Sequence, residues 1–85
     1  MRMHDVTLRF HVLVDEGDSK TEHEVTISEV DLERLGPGYG SREAFVRACF
    51  EFLLEREPKE SILPSFDVSA IGRYFPEFEQ VIRTR

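Results

Sequence analysis

The chain has 85 residues, of which 40% are hydrophobic, 11% aromatic and 33% charged. This composition supports one small globular domain and excludes a disordered tail. The 11 Lys and Arg against 17 Asp and Glu leave a formal charge of −6, which opposes general binding to nucleic acid or to anionic membranes, since both need a positive field.

A single cysteine excludes an internal disulfide and any zinc site built on several thiolates. No apolar run approaches the roughly 20 residues that span a bilayer. Residues 1–5, Met-Arg-Met-His-Asp, do not open a signal peptide, because polar residues interrupt the apolar stretch behind them. The expectation is a soluble, cytoplasmic, single-domain protein without cofactor or metal.

From Val6 to Val14 the chain alternates. Val6, Leu8, Phe10, Val12 and Val14 share one face, and Thr7, Arg9, His11 and Leu13 the other, which is the pattern of a half-buried strand. A second strand follows over residues 21–27, with Thr21, His23, Val25 and Ile27 on one face. A two-residue turn centred on Gly17 and Asp18 joins them, with glycine where a type II′ turn needs it. That register sets Phe10 opposite Val25, Leu8 opposite Ile27, Val12 opposite His23, His11 opposite Glu24, Leu13 opposite Glu22 and Asp15 opposite Lys20.

Ser28 can cap a short helix from Glu29 to Leu35, ended by Gly36 and Pro37. The loop from Gly36 to Ser41 leads into the main helix, Arg42 to about Arg56, stopped by Pro58. Its apolar arc covers roughly 240°, more than one sheet face can bury. Residues 62–82 are predicted to cover the Val46/Phe50/Leu54 side. Within them Phe66, Asp67 and Ile71 suggest a capped helix from Val68 to about Tyr74, and Pro76 opens another to Ile82. The predicted fold is α+β: an N-terminal two-stranded antiparallel β-hairpin packed on a long central helix, with three short flanking helices and no further strand.

Charge is uneven. Residues 15–35 hold the acids Asp15, Glu16, Asp18, Glu22, Glu24, Glu29, Asp31 and Glu33 against Lys20 and Arg34, which marks a candidate acidic interaction surface. A calcium site on Asp15, Glu16 and Asp18 lacks the EF-hand spacing and its distal Glu. Of the histidines His4, His11 and His23, the last two fall on opposite strand faces and cannot share a metal. Cys49 sits inside the apolar arc with no histidine on its helix, as a structural thiol does. The C-terminal aromatics are assigned to the core.

Gly38, Gly40, Ser41 and Arg42 form a candidate loop for an anion or small ligand at the start of the main helix. Pro37 removes one amide donor there, and no strand leads into the loop, so it is not a P-loop. A ribbon-helix-helix DNA binder would read bases through Thr7, Arg9 and His11, but the hairpin and the acidic charge oppose it. The leading expectation is a non-catalytic accessory or protein-interaction domain with a basic partner. An unpaired first strand further suggests a homodimer.

Overall fold

The computed structural model describes residues 7–84; Val6 and His4 lie outside the described residues. The elements in chain order are β1 (Thr7–Asp15), β2 (Lys20–Ser28), α1 (Glu29–Leu35), α2 (Arg42–Leu54), a 3-10 turn (Lys59–Ser61), β3 (Ser65–Asp67), α3 (Ser69–Tyr74) and α4 (Phe78–Thr84). The protein is α+β, with a three-stranded sheet in the order β1-β2-β3 and four helices.

β1 and β2 pair antiparallel in the register that the two-residue turn and the alternation predict together, with Phe10 opposite Val25, Val12 opposite His23 and Asp15 opposite Lys20. Gly17 has φ +94°, and no other described residue enters the left-handed region. Glu16 N–H donates to the Ser19 carbonyl at 3.0 Å across the turn. A positive φ confined to the first central residue is the type II′ pattern.

The third strand corrects the expectation of a two-stranded sheet. β3 runs parallel to β2, setting Val25 opposite Phe66 and Thr26 opposite Asp67. Glu24 N–H donates to the Pro64 carbonyl and Val68 N–H to the Thr26 carbonyl, both at 2.8 Å. The Thr26 hydroxyl donates to Asp67 Oδ1 at 2.6 Å. Three residues are too short to display a period of two, so nothing in the alternation reveals them. Asp67 also has its expected capping role, accepting from Ser69 N–H at 3.0 Å. β2 becomes the central strand, and Val25 and Ile27 have no exposed surface.

Serine caps start two helices. The Ser28 hydroxyl accepts from Asp31 N–H at 3.1 Å, and that of Ser41 accepts from Ala44 N–H at 3.0 Å, each satisfying one otherwise unpaired amide. α2 ends at Leu54, two residues short of the expected Arg56. Arg56 instead folds back over its end: Nη1 donates to the Phe52 carbonyl at 3.0 Å, and the guanidinium lies 3.6 Å from the Phe52 ring centroid. α4 starts at Phe78 because Pro76 and Glu77 form a turn before it.

The tail reaches α2 from both sides. Phe50 meets His23 of β2 at 5.4 Å between ring centroids and Phe66 of β3 at 5.9 Å. Phe52, on the opposite side of the helix, meets Phe75 at 5.9 Å and Phe78 at 5.1 Å. The expectation placed the whole tail over the Phe50 side. By entering the sheet as β3, the tail makes Phe50 a sheet contact and leaves α3 and α4 to cover Phe52.

Candidate functional site

β2 is the more deeply buried strand on the core face, where β1 buries only Val14 among the described residues. Val25, Ile27 and His23 are 0%, 0% and 3% exposed, whereas Leu8, Phe10 and Val12 of β1 remain half-buried. The opposite face carries the odd-numbered residues of β1 and the even-numbered ones of β2. There Arg9 reaches Glu24 at 3.5 Å and His11 Nε2 reaches Glu22 at 2.9 Å. His11 was expected beside Glu24; the long Arg9 side chain takes that partner diagonally, and His11 takes the neighbouring acid.

His23 points inward. Its Nδ1 lies 2.8 Å from the Leu63 carbonyl and its Nε2 2.8 Å from the Thr21 hydroxyl. A carbonyl only accepts, so Nδ1 carries the proton and donates. His23 therefore ties β2 to the stretch leading into β3. His11 and His23 lie on opposite sheet faces, and among the described residues no group of His, Cys, Asp and Glu converges as a metal site.

The acids from Asp15 to Glu33 are drawn out along the hairpin. A nine-residue β2 separates Lys20 from Ser28 by about 27 Å at the usual strand rise. Asp15, Glu16 and Asp18 therefore sit at the turn end, Glu29, Asp31 and Glu33 on α1 at the far end, and Glu22 and Glu24 between them. Several are already engaged. Asp15 Oδ1 accepts from Gly17 N–H at 2.9 Å. Asp31 pairs with Arg34 at 3.2 Å, and Arg34 also bonds Glu79 of α4. Asp15, Asp18, Glu29 and Glu33 are exposed and form no ion pair among the described residues.

Glu16 binds a residue that sequence reasoning missed. Lys59 is 4% exposed, and its Nζ donates to Glu16 at 2.7 Å and to Glu60 at 2.9 Å. A buried lysine needs such partners. Its hydrogen bonds to Glu16 and then Glu60 raise it above the ordinary lysine range, and its hydrogen bond holds Glu60 below the usual carboxylate range. No local pattern around Lys59 signals this, because the partner lies 43 residues away.

In the glycine loop, Gly38 and Gly40 border open space. The Ser41 hydroxyl is engaged as a helix cap, and Arg42 is exposed on the first turn of α2. None of residues 36–41 is left-handed, so their amides lack the alternating conformation of an anion-binding nest. Tyr39 is docked: its hydroxyl donates to the Ile82 carbonyl at 2.7 Å, and its ring meets Phe45 edge-on at 5.5 Å. The loop thus latches the end of α4 to the start of α2.

Cys49 is 1% exposed, and burial pushes its thiol up to about 12, which removes the thiolate needed for nucleophilic chemistry. A hollow of about 230 Å³ opens between the end of α2 and α3, lined by Leu53, Ile62, Phe66, Ile71, Tyr74 and Phe75. Of the C-terminal aromatics assigned to the core, Phe78 is buried in it and Phe66 and Phe75 pack half-buried against it, but Tyr74 at the rim of the hollow is 69% exposed. No described helix is long and apolar enough to cross a membrane. No protein-family model, no curated protein and no solved structure matches the chain.

Proposed function

We propose that this chain is a small, cytoplasmic, non-catalytic interaction domain that presents acidic groups to a basic protein surface. The carrying observation is that folding leaves Asp15, Asp18, Glu29 and Glu33 exposed and without an ion pair among the described residues. Arg9 and Lys59 are the cations that other segments bring to the acids of residues 15–35, and they do not cancel its excess. Self-association through the open side of β1 belongs to the same reading.

Charge-mediated capture weakens with ionic strength, because exposed charges are screened over about 8 Å at physiological salt. Glu29→Lys with Glu33→Lys reverses exposed charge on α1 without touching a buried contact. Affinity capture at low and high salt, comparing that double variant with the natural chain, tests the proposal. Partners lost with salt and with the variant support it. Partners retained in both conditions refute it.

A further inference from the structure

We infer that the open edge of β1 pairs antiparallel with the same strand of a second copy of this chain, on a twofold axis at Val12. This rests on reading β1 as an interaction edge, and it adds the register. Hydrogen-bonding parity identifies the edge. Glu16 N–H bonds Ser19 across the turn, and in an antiparallel ladder bonded pairs alternate. The even-numbered residues of β1 therefore bond β2. On β2, Glu24 and Thr26 turn their backbone groups to β3, which confirms the parity. The N–H and C=O groups of Thr7, Arg9, His11, Leu13 and Asp15 face outward.

Nothing described covers that row, because the tail pairs with β2 on its other side. The strand contains neither Pro nor Gly, two of the usual guards of an exposed edge. Leu8, Phe10 and Val12 stay half-buried on the core face, so the apolar layer extends to the edge with no strand beyond it among the described residues.

Charge selects the register. Outward groups are odd-numbered, so odd residues must pair with odd ones, and the axis falls on a residue. Overlaps of at least seven residues of the nine-residue strand place it at Phe10, His11 or Val12. An axis at Phe10 sets Arg9 opposite His11 of the second copy, and one at His11 sets His11 opposite itself. An axis at Val12 sets Arg9 opposite Asp15 twice, once on each side. It also sets Phe10 opposite Val14 on the core face and Val12 opposite itself. Arg9 already reaches Glu24 of β2 at 3.5 Å, but its side chain is 70% exposed and is open toward a second copy on its other side, and Asp15 has no ion pair among the described residues. Opposite charges facing across strands stabilise a sheet, and like charges destabilise it.

Sedimentation equilibrium of the whole chain at about 100 μM tests this. The expected mass is twice 9.9 kDa. His11→Pro removes an outward N–H, a position where edge strands tolerate proline, and is expected to give a monomer with an intact hairpin by circular dichroism. Arg9→Glu and Asp15→Arg each turn two attractive pairs repulsive and are expected to weaken the dimer about tenfold; combined, they restore it. A monomeric natural chain overturns both the register and the self-association. A dimer indifferent to every one of these substitutions overturns the β1 edge as the interface. A dimer lost with His11→Pro but unchanged by the charge reversals overturns the register alone.

Discussion

Replacing Gly17 by alanine separates the cost of a backbone conformation from every cost of packing. Gly17 sits at φ +94°, and a Cβ built there meets nothing within 4 Å. Its price is therefore conformational: about 1–3 kcal/mol for a side-chain-bearing residue held in that region. Alanine also reduces the freedom of the unfolded chain, which returns about 0.4–1 kcal/mol. Taken at the middle of both ranges, the net expected destabilisation is about 1 kcal/mol. Gly17→Val adds a branched Cβ to the same strain and is expected to cost at least as much.

Two other glycines act as internal controls. Gly38 also borders open space but is not left-handed, so Gly38→Ala is expected to stabilise by about 0.4–1 kcal/mol. At Gly36 a Cβ would lie 2.7 Å from the Leu32 carbonyl oxygen, the group that accepts the Gly36 N–H at 2.9 Å. Gly36→Ala therefore has to distort the end of α1. Urea unfolding followed by far-ultraviolet circular dichroism reads all three. With a slope of about 1 kcal/mol per molar for a small domain, Gly17→Ala lowers the midpoint by about 1 M and Gly38→Ala raises it. An unchanged midpoint for Gly17→Ala would refute the type II′ turn, and with it the turn-based argument for the register.

Three further outcomes follow from the core and from Asp67. Native Cys49 is expected to resist iodoacetamide at pH 8 and to react quickly in urea; rapid labelling of the folded chain would show that its burial is wrong. Burial works against the Asp67 carboxylate, but hydrogen bonds from Thr26 and Ser69 outweigh it and hold the group below its usual range. A depressed carboxyl stabilises above its unfolded value and loses that contribution as pH falls through its folded value. Asp67→Asn is thus expected to cost about 1 kcal/mol near neutrality, with the gap closing below about pH 4; a gap independent of pH would contradict this. A chain ending at Glu60 loses β3 together with Ile62, Val68, Ile71, Phe78 and Ile82 from the core. It is expected to bind a hydrophobic dye and to lose near-ultraviolet dichroism, whereas a cooperatively unfolding truncate would make the tail dispensable.

The hairpin and both serine caps were legible because their signals are local. Alternation, a glycine at one turn position and a hydroxyl three residues before an amide all lie within a short window. β3 was not legible, for the opposite reason. Phe66 and Asp67 carry a helix-start signal that is also true, since Asp67 caps α3. Their pairing with β2 depends on residues some 40 positions earlier. A trace was present: Val25 and Ile27, once central, need neighbours on both sides, and one hairpin partner supplies only one. Lys59 illustrates the same limit, since a lysine in a polar stretch reads as exposed until Glu16 is brought beside it.

The candidate site was legible in composition and not in shape. Consecutive acids suggest a patch, but an extended strand carries its residues apart at about 3.3 Å each. Glu29 and Glu33 therefore lie a hairpin's length from Asp15 and Asp18, with Arg9 and His11 interleaved between them. Charge density along a sequence becomes charge density on a surface only where the chain is compact, as on α1. A basic partner that reads one end of the hairpin will feel α1 or the turn, but not both at full strength across several screening lengths. The odd residues of β1 show the complementary effect. Arg9 and Asp15, six positions apart on one strand, come face to face only when a twofold axis brings two copies together.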